Sequence, residues 1–273
     1  MTGRTGRTGR NDRSRWMLGT HAWLVYLFIY APIVVLVVFS FNQERINAVW
    51  TGFTLDWYIR LFNDADMMQA IYNSLVVGVV STAIATVLGT LTAIGMSRYR
   101  FPLKRVFDSV LYLPIIIPEI VMGVSLLVFY VFIQFTLGTA SIIIAHVTFN
   151  ISFVAVVVRA RLAGMDPSLE QAALDLGATP LQTFRHITLP LIKPGIIAGM
   201  LLAFTLSWDD FLIAFFTAGV GSTTLPMKVY SMIKFGVSPE INAISTITLL
   251  FTMILIFIAL RIEGVMNATK TMD

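Results

Sequence analysis

Three carboxylates sit where carboxylates are costly. Glu119 lies in an apolar run over about 106–134, and Asp209 and Asp210 lie in another over about 194–218. An ionisable side chain inside a membrane-length apolar stretch is a functional-site hypothesis by default, because removing its charge from water is expensive. If both runs start from the same side, Glu119 lies about 13 residues in and Asp209 about 14, which at 1.5 Å per residue is about 20 Å for each. At a shared level, carboxylates from two helices would line one pathway and draw a cation into it. Trp208 beside them offers an aromatic face for cation–π attraction. Successive residues on a helix point about 100° apart, so Asp209 and Asp210 cannot both face one lumen. One of them would instead meet another subunit or bond to Thr205 or Ser207 a turn earlier. The alternative for all three acids is structural, with the charge satisfied by nearby hydroxyls or a helix end.

Other chemistry finds little support. Cysteine is absent, which excludes thiolate metal sites and cysteine nucleophiles. His21, His146 and His186 lack metal-ligand spacing, and His146 with Asn150 reads as a core polar pair. No G-x-x-x-x-G-K-[ST] motif is present, so nucleotide is not bound by that route. Neither a catalytic nor a metal-binding residue set emerges.

The elements that must position these acids are apolar. Of 273 residues, 57% are hydrophobic and only 12% charged, against about 25% charged in soluble domains. The mean hydropathy is +0.81. Six stretches reach the roughly 20 residues a spanning helix needs: about 22–40, 70–96, 106–134, 139–160, 194–218 and 241–262. The expected class is therefore an all-α polytopic membrane protein with six spans and both termini on one side. Basic residues choose the side. Arg4, Arg7, Arg10, Arg13, Arg15, Arg98, Arg100, Lys104, Arg105, Arg159, Arg161, Arg185, Lys193, Arg261 and Lys270 fall on one set of loops and ends. The other loops hold Arg45, Arg60, Lys228 and Lys234. The positive-inside rule places both termini in the cytoplasm. The net charge of +4 thus belongs to topology, not to nucleic-acid binding.

Residues 1–17, with Thr-Gly-Arg three times, are expected to be a basic unstructured terminus. Residues 18–264 form one transmembrane domain and 265–273 a cytoplasmic tail. The first span is read as retained rather than cleaved. Pro114 and Pro118 predict a kink or break in the third span, with Pro118-Glu119 resembling a helix start. Gly195-x-x-x-Gly199 in the fifth span suits close helix packing.

Between the fourth and fifth spans lies a long polar segment, 166–190. Asp166-Pro167 starts a helix that would run to about Leu176 and end at Gly177. Thr179 and Gln182 form a capping box for a second helix to about Ile187. Pro190 and Pro194 are then expected to redirect the chain into the fifth span. Helices this short need a partner surface, either the protein's own face or another molecule.

This segment resembles the cytoplasmic signature loop of permease subunits of binding-protein-dependent ABC importers: Glu-Ala-Ala, three residues, Gly, nine residues, Ile, one residue, Leu-Pro. Ala172, Ala173, Gly177, Ile187, Leu189 and Pro190 match at the right spacing. The first position departs, being Gln171 with the acid one place earlier at Glu170, which puts a charged contact to an ATPase in question. Longer stretches, among them "AHVTFNISFVAVVVRARL" and "LAFTLSWDDFLIAFF", resemble the second membrane subunit of spermidine/putrescine importers.

The resemblance implies a type I ABC importer permease fold, with 166–190 as a coupling hairpin in a groove of a cytoplasmic ABC ATPase dimer. It implies a second permease subunit in a heterodimer, an external substrate-binding protein, and the bacterial inner membrane as location. ATP would be bound by the partner, leaving this chain without cofactor or enzymatic activity. Polyamines are flexible polycations, and Glu119, Asp209, Asp210 and Trp208 are candidates for their pathway. The rivals are an ABC permease for another small solute and a secondary transporter.

Overall fold

The computed structural model describes residues 8–44, 49–234, 236 and 238–268, with side chains over 16–44, 49–234, 236 and 238–258. Apart from one isolated bridge between Asn42 and Phe53, the described regular structure is helical. Two compact units are present: 1–61 with 233–249, and 62–232 with 250–273.

The first unit begins with α1, Thr8–Phe39. It starts inside the segment expected to be unstructured; extending an existing helix needs no new nucleus. Residues 1–7 lie outside the described part, as do 269–273 of the expected tail. Beyond α1 the chain folds over Asn42, whose side-chain amide donates to Val49 O at 2.9 Å and accepts from Thr51 N at 3.0 Å. The Trp57 indole donates to Asn42 O at 2.7 Å, and Ser40 shares a hydrogen bond with the Tyr58 hydroxyl. Trp57 and Tyr58 thus brace this loop.

The second unit holds both candidate regions. Helix α2 (Asp56–Asn63) precedes α3 (Ala65–Arg98), whose first turn is capped by Asp64 accepting from Asp66 N and Met67 N. Then come α4 (Lys104–Ile116), α5 (Glu119–Phe132) and α6 (Thr139–Ala163). Helices α3 and α6 pack together with α9 (Leu189–Asp209) as the core. Little hydrophobic force drives helix association in lipid, so close van der Waals fit must supply it. A Cβ on Gly89 of α3 would meet Val154 of α6 at 2.7 Å and Ile151 O at 2.9 Å. Both glycines of Gly195-x-x-x-Gly199 face α6 as well, Gly195 against Arg161 and Gly199 against Val154.

The third expected span is broken. Helices α4 and α5 meet at 111° across Ile117 and Pro118. Asp108 of α4 pairs with Arg159 near one end of α6, while Tyr130 of α5 donates to Ser141 O at the other end. The two halves thus contact opposite ends of α6. Among the described residues five helices are long and apolar enough to cross a membrane, and the bent pair counted as one span makes six.

The polar segment forms α7 (Ser168–Asp175) and α8 (Pro180–Thr183) around Gly177, whose φ is +88°. The capping box forms as expected: Gln182 accepts from Thr179 N at 2.8 Å and Thr179 Oγ1 accepts from Gln182 N. The ending differs from expectation. Residues Phe184–Thr188 make a π-helical turn that runs straight into α9, so Pro190 and Pro194 do not redirect the chain. Leu189 N bonds to Phe184 O across the π-turn, which shifts the bonding register just ahead of Pro190, and Pro194 lies inside α9. Pro180–Asp209 is consequently one continuous 30-residue helical run. The remaining elements are α10 (Leu212–Thr217), α11 (Leu225–Ile233) and α12 (Pro239–Ala268).

Candidate functional site

At the end of the bundle remote from the hairpin, α9 stops at Asp209 and restarts two residues later as α10. Asp210 makes that restart. Its carboxylate accepts from Ala214 N at 2.8 Å and Ile213 N at 3.3 Å, satisfying amides that a new helix leaves without partners. Its Oδ2 also lies 3.2 Å from His146 Nε2. His146, on α6, is 2% exposed, and its Nδ1 lies 2.6 Å from Ser207 Oγ. Ser207 in turn lies 3.0 Å from Ser81 Oγ on α3. With its proton on Nε2 the imidazole donates to the Asp210 carboxylate and accepts from Ser207 at Nδ1, and Ser81 Oγ also reaches Gly78 O at 3.4 Å. The buried relay ties α3, α6 and α9 to α10.

Asp209 is handled differently. It is exposed, as is Glu119 at the first position of α5. Neither makes a side-chain hydrogen bond among the described residues. The elements that carry them, α5 and the break between α9 and α10, are neighbours. Packing explains their proximity. A Cβ on Gly123 of α5 would meet Phe216 at 2.9 Å and Leu212 O at 3.3 Å, so α5 lies directly on α10. Straight-helix depth counting does not apply to Glu119, because α5 turns away from α4; the α5–α10 contact brings the acids together instead. The adjacent aspartates are thus divided, Asp210 enclosed by hydrogen bonds and Asp209 open.

Trp208 does not present a free face. It is buried, 4.9 Å from the Phe251 ring and stacked at 6.1 Å on Phe204. Its aromatic surface is occupied by neighbours, which leaves no room for a cation. His146 bonds to Ser207 of α9 and to Asp210 rather than to Asn150, whose amide is buried with no hydrogen-bond partner among the described residues. No local sequence signal places His146 or Ser81 at this site, whereas Ser207, a turn before the acids, is within reach of them in sequence. Among the described residues no group of three or more His, Asp or Glu is arranged to hold a metal.

At the hairpin end, α7 buries no residue. Gln171, Ala172 and Gly177 are exposed, Ala173 and Ile187 half-buried, and Leu189 and Pro190 exposed. Leu169, Leu174, Leu176 and Leu181 are exposed on an otherwise polar segment, with Leu176 at 90%. Glu170 points the other way. It pairs with Arg98, the last residue of α3, and accepts from the Thr188 hydroxyl. Arg98 Nη2 also donates to Thr188 Oγ1 at 3.2 Å. Burial alone would raise the Glu170 carboxyl; the hydrogen bonds from Arg98 and Thr188 and the Arg98 charge outweigh it and hold the group below its usual range. Arg98 had counted only toward topology in the sequence, and Thr188 had no signal.

The profile of the family described as "Binding-protein-dependent transport system inner membrane component" matches residues 85–269. Over 243 residues the chain is 41% identical to the spermidine/putrescine transport system permease protein PotC of Escherichia coli (strain K12), covering 89% of this chain and 92% of that protein. Over 233 residues it is 44% identical to the putrescine transport system permease protein PotI of the same organism, covering 83% of each. Among solved structures, a bacterial ABC transporter involved in the import of the acidic polysaccharide alginate contains a chain of the same fold. That chain is 18% identical with a TM-score of 0.73, covering 94% of this chain and 99% of that one. A chain of the MetNI methionine ABC transporter in an inward-facing conformation is 19% identical with a TM-score of 0.61, covering 78% and 99%.

Proposed function

Because the chain belongs to the family of binding-protein-dependent transport system inner membrane components, we propose that it is a transmembrane permease subunit of an ATP-driven importer for the polyamines spermidine and putrescine. The 41% and 44% identities to two polyamine permeases over most of the chain carry the substrate class. The chemistry of the far-end site agrees with it. Glu119 and Asp209 are exposed carboxyl groups on elements that pack together, a combination suited to a flexible polycation that must bind weakly and leave. Asp210 serves by holding α10, and through it α5, so that the other two acids stay together.

The hairpin at 166–190 is the docking element for a cytoplasmic ABC ATPase dimer. Its exposed leucines support this, since an apolar patch on a polar segment marks a protein contact. Ala172, Ala173, Gly177, Ile187, Leu189 and Pro190 supply the backbone and apolar part of that contact, and exposed Gln171 takes the place of the motif's acid. The chain has no nucleotide motif, so ATP enters through the partner, and no cofactor is assigned to this subunit. A second permease subunit pairs with it as a heterodimer, and an external binding protein delivers substrate. Both termini face the cytoplasm of a bacterial inner-membrane protein, as the basic loops direct. ATP-driven closure of the ATPase dimer moves the hairpin, and the spans open the acidic site to alternate sides.

The test is uptake of labelled spermidine and putrescine by the complex reconstituted in vesicles. Accumulation is expected only with ATP on the hairpin side and binding protein on the other. Uptake without any ATPase would make the chain a secondary transporter. ATP-driven uptake of a different solute in preference to both polyamines would move the substrate class.

A further inference from the structure

Helix α7 has a mechanical problem. It buries no residue fully, so packing carries little of its motion to the spans. On one side it connects through Gly177 and α8 to the continuous helical run that becomes α9. α9 therefore follows the hairpin along an unbroken backbone. α3 has no such connection. It is a core helix, pressed against α6 at Gly89, yet it lies some 70 residues earlier in the chain. What joins it to α7 is the cluster of Arg98, Glu170 and Thr188.

The chemistry of this cluster is that of a fork. Glu170 is the single acid, reached by the Arg98 guanidinium from α3 and by the Thr188 hydroxyl from the π-turn. Arg98 donates to Thr188 as well, so each of the three side chains touches the other two. Thr188 is fully buried and cannot give way. The acid lies one position before the place where the family's loop pattern has its own, and it faces inward to this chain. A charge-assisted bond of this kind is stronger and more directional than a neutral one. The other ion pair at this end, Asp108 with Arg159, ties α4 to α6 and does not include the hairpin.

We propose that Arg98 is a positioning residue for coupling: through Glu170 and Thr188 it makes α3 move with the ATPase-docked hairpin, in step with α9. The proposal rests on the transport function above. Without the clamp, the ATPase would still dock on the exposed face of the hairpin and hydrolyse ATP. α3 would lag behind α9, and hydrolysis would no longer be converted into uptake.

The experiment uses the whole reconstituted complex and reads two quantities. The first is polyamine taken up per ATP hydrolysed. Arg98→Gln and Arg98→Glu should lower it about tenfold, within the usual range of site-to-site coupling, while the ATPase still copurifies. Arg98→Glu combined with Glu170→Arg should return it to within about threefold of wild type, as expected where two residues interact directly. The second is hydrogen exchange over 168–176 in the assembled complex, which should rise about tenfold in Arg98→Gln and fall again in the charge swap. Wild-type uptake per ATP in Arg98→Gln overturns the proposal. So does a charge swap no better than Arg98→Glu alone. Absence of polyamine uptake by the wild-type complex counts against the transport function instead, and the exchange measurement then decides the clamp by itself.

Discussion

At the far end of the bundle, Asp210 is enclosed: two backbone amides and a buried imidazole reach its carboxylate. At the hairpin end, Glu170 is held at the surface by one guanidinium and one hydroxyl. Both acids have a neighbour in sequence that faces outward, Asp209 in one case and Gln171 in the other. The architecture is the same, with an inward residue that fixes the local fold beside an exposed one. The difference lies in the surroundings. Asp210 works where unpaired polar groups find no water, so its role is nearly all-or-none. Glu170 works where water competes, so its bond can form and break. The first arrangement suits a static site, the second a moving joint.

Removing the enclosed acid should therefore produce the largest effect. Asp210→Ala leaves His146 Nε2 and two α10 amides without partners, at a cost of about 1–3 kcal/mol for each group that stays buried. The expected outcome is a sharp loss of assembled complex in size-exclusion chromatography, with uptake lost alongside. His146→Leu should do less, since Asp210 keeps both amides. If Asp210→Ala assembles normally and transports at the wild-type rate, the static half of the comparison is broken.

Asp209→Asn should come next and act differently. No hydrogen bond of the fold is lost, so assembly and ATP hydrolysis should persist. Uptake of spermidine should fall about tenfold, as when an interaction made by the substrate itself is removed. Glu119→Gln should resemble it. Full uptake in both variants would deny these acids a place in the pathway and leave only the bracing role of Asp210.

Much of this division was hidden in the sequence for a plain reason. The spans, the break near Pro118, the helix turn at Gly177 and the Thr179–Gln182 cap are local patterns, and periodicity or capping chemistry shows them. Which of two adjacent aspartates is free depends on His146, 64 residues away on another helix. The role of Glu170 depends on Arg98, 72 residues earlier. Trp208 offered a cation–π face in sequence, but Phe251 from a later helix covers it. Proline rules read Pro190 and Pro194 as interruptions because they assume a regular α-helix; the π-turn removes that premise for Pro190, and Pro194 is carried inside α9. Tertiary partners and local register decided these points, and neither is a property of a short window.

A smaller effect is expected at the hinge of the moving half. Gly177 has a φ of +88°, and a Cβ there would touch nothing within 4 Å. Gly177→Val should therefore cost conformational strain alone, about 1–2 kcal/mol. That should weaken copurification of the ATPase without reducing assembly of the spans. Loss of span assembly would mean that the hairpin holds the bundle together, contrary to its exposure.

The smallest effect at neutral pH, and the finest probe of the joint, is protonation of Glu170. Its carboxyl is held below its ordinary value of 4.5: burial pushes it up, and the bonds from Arg98 and Thr188 with the Arg98 charge push it further down. A depressed acid contributes stability that is fully present above the unfolded value and is lost as pH falls through the folded one. Protection of the 168–176 amides, corrected for intrinsic exchange, should thus be flat between about pH 6 and 8 and decline only below about 4.5. Arg98→Gln removes the guanidinium bond and its charge but leaves burial in place, so acid release should begin at a higher pH than in wild type. The enclosed acid supplies the contrast: amide protection of α10 at neutral pH should be unchanged in the same variant, because none of the partners of Asp210 is Arg98. If Arg98→Gln leaves the acid release of α7 where it was, the guanidinium is not what holds Glu170, and the hairpin is joined to α3 by something other than this bond.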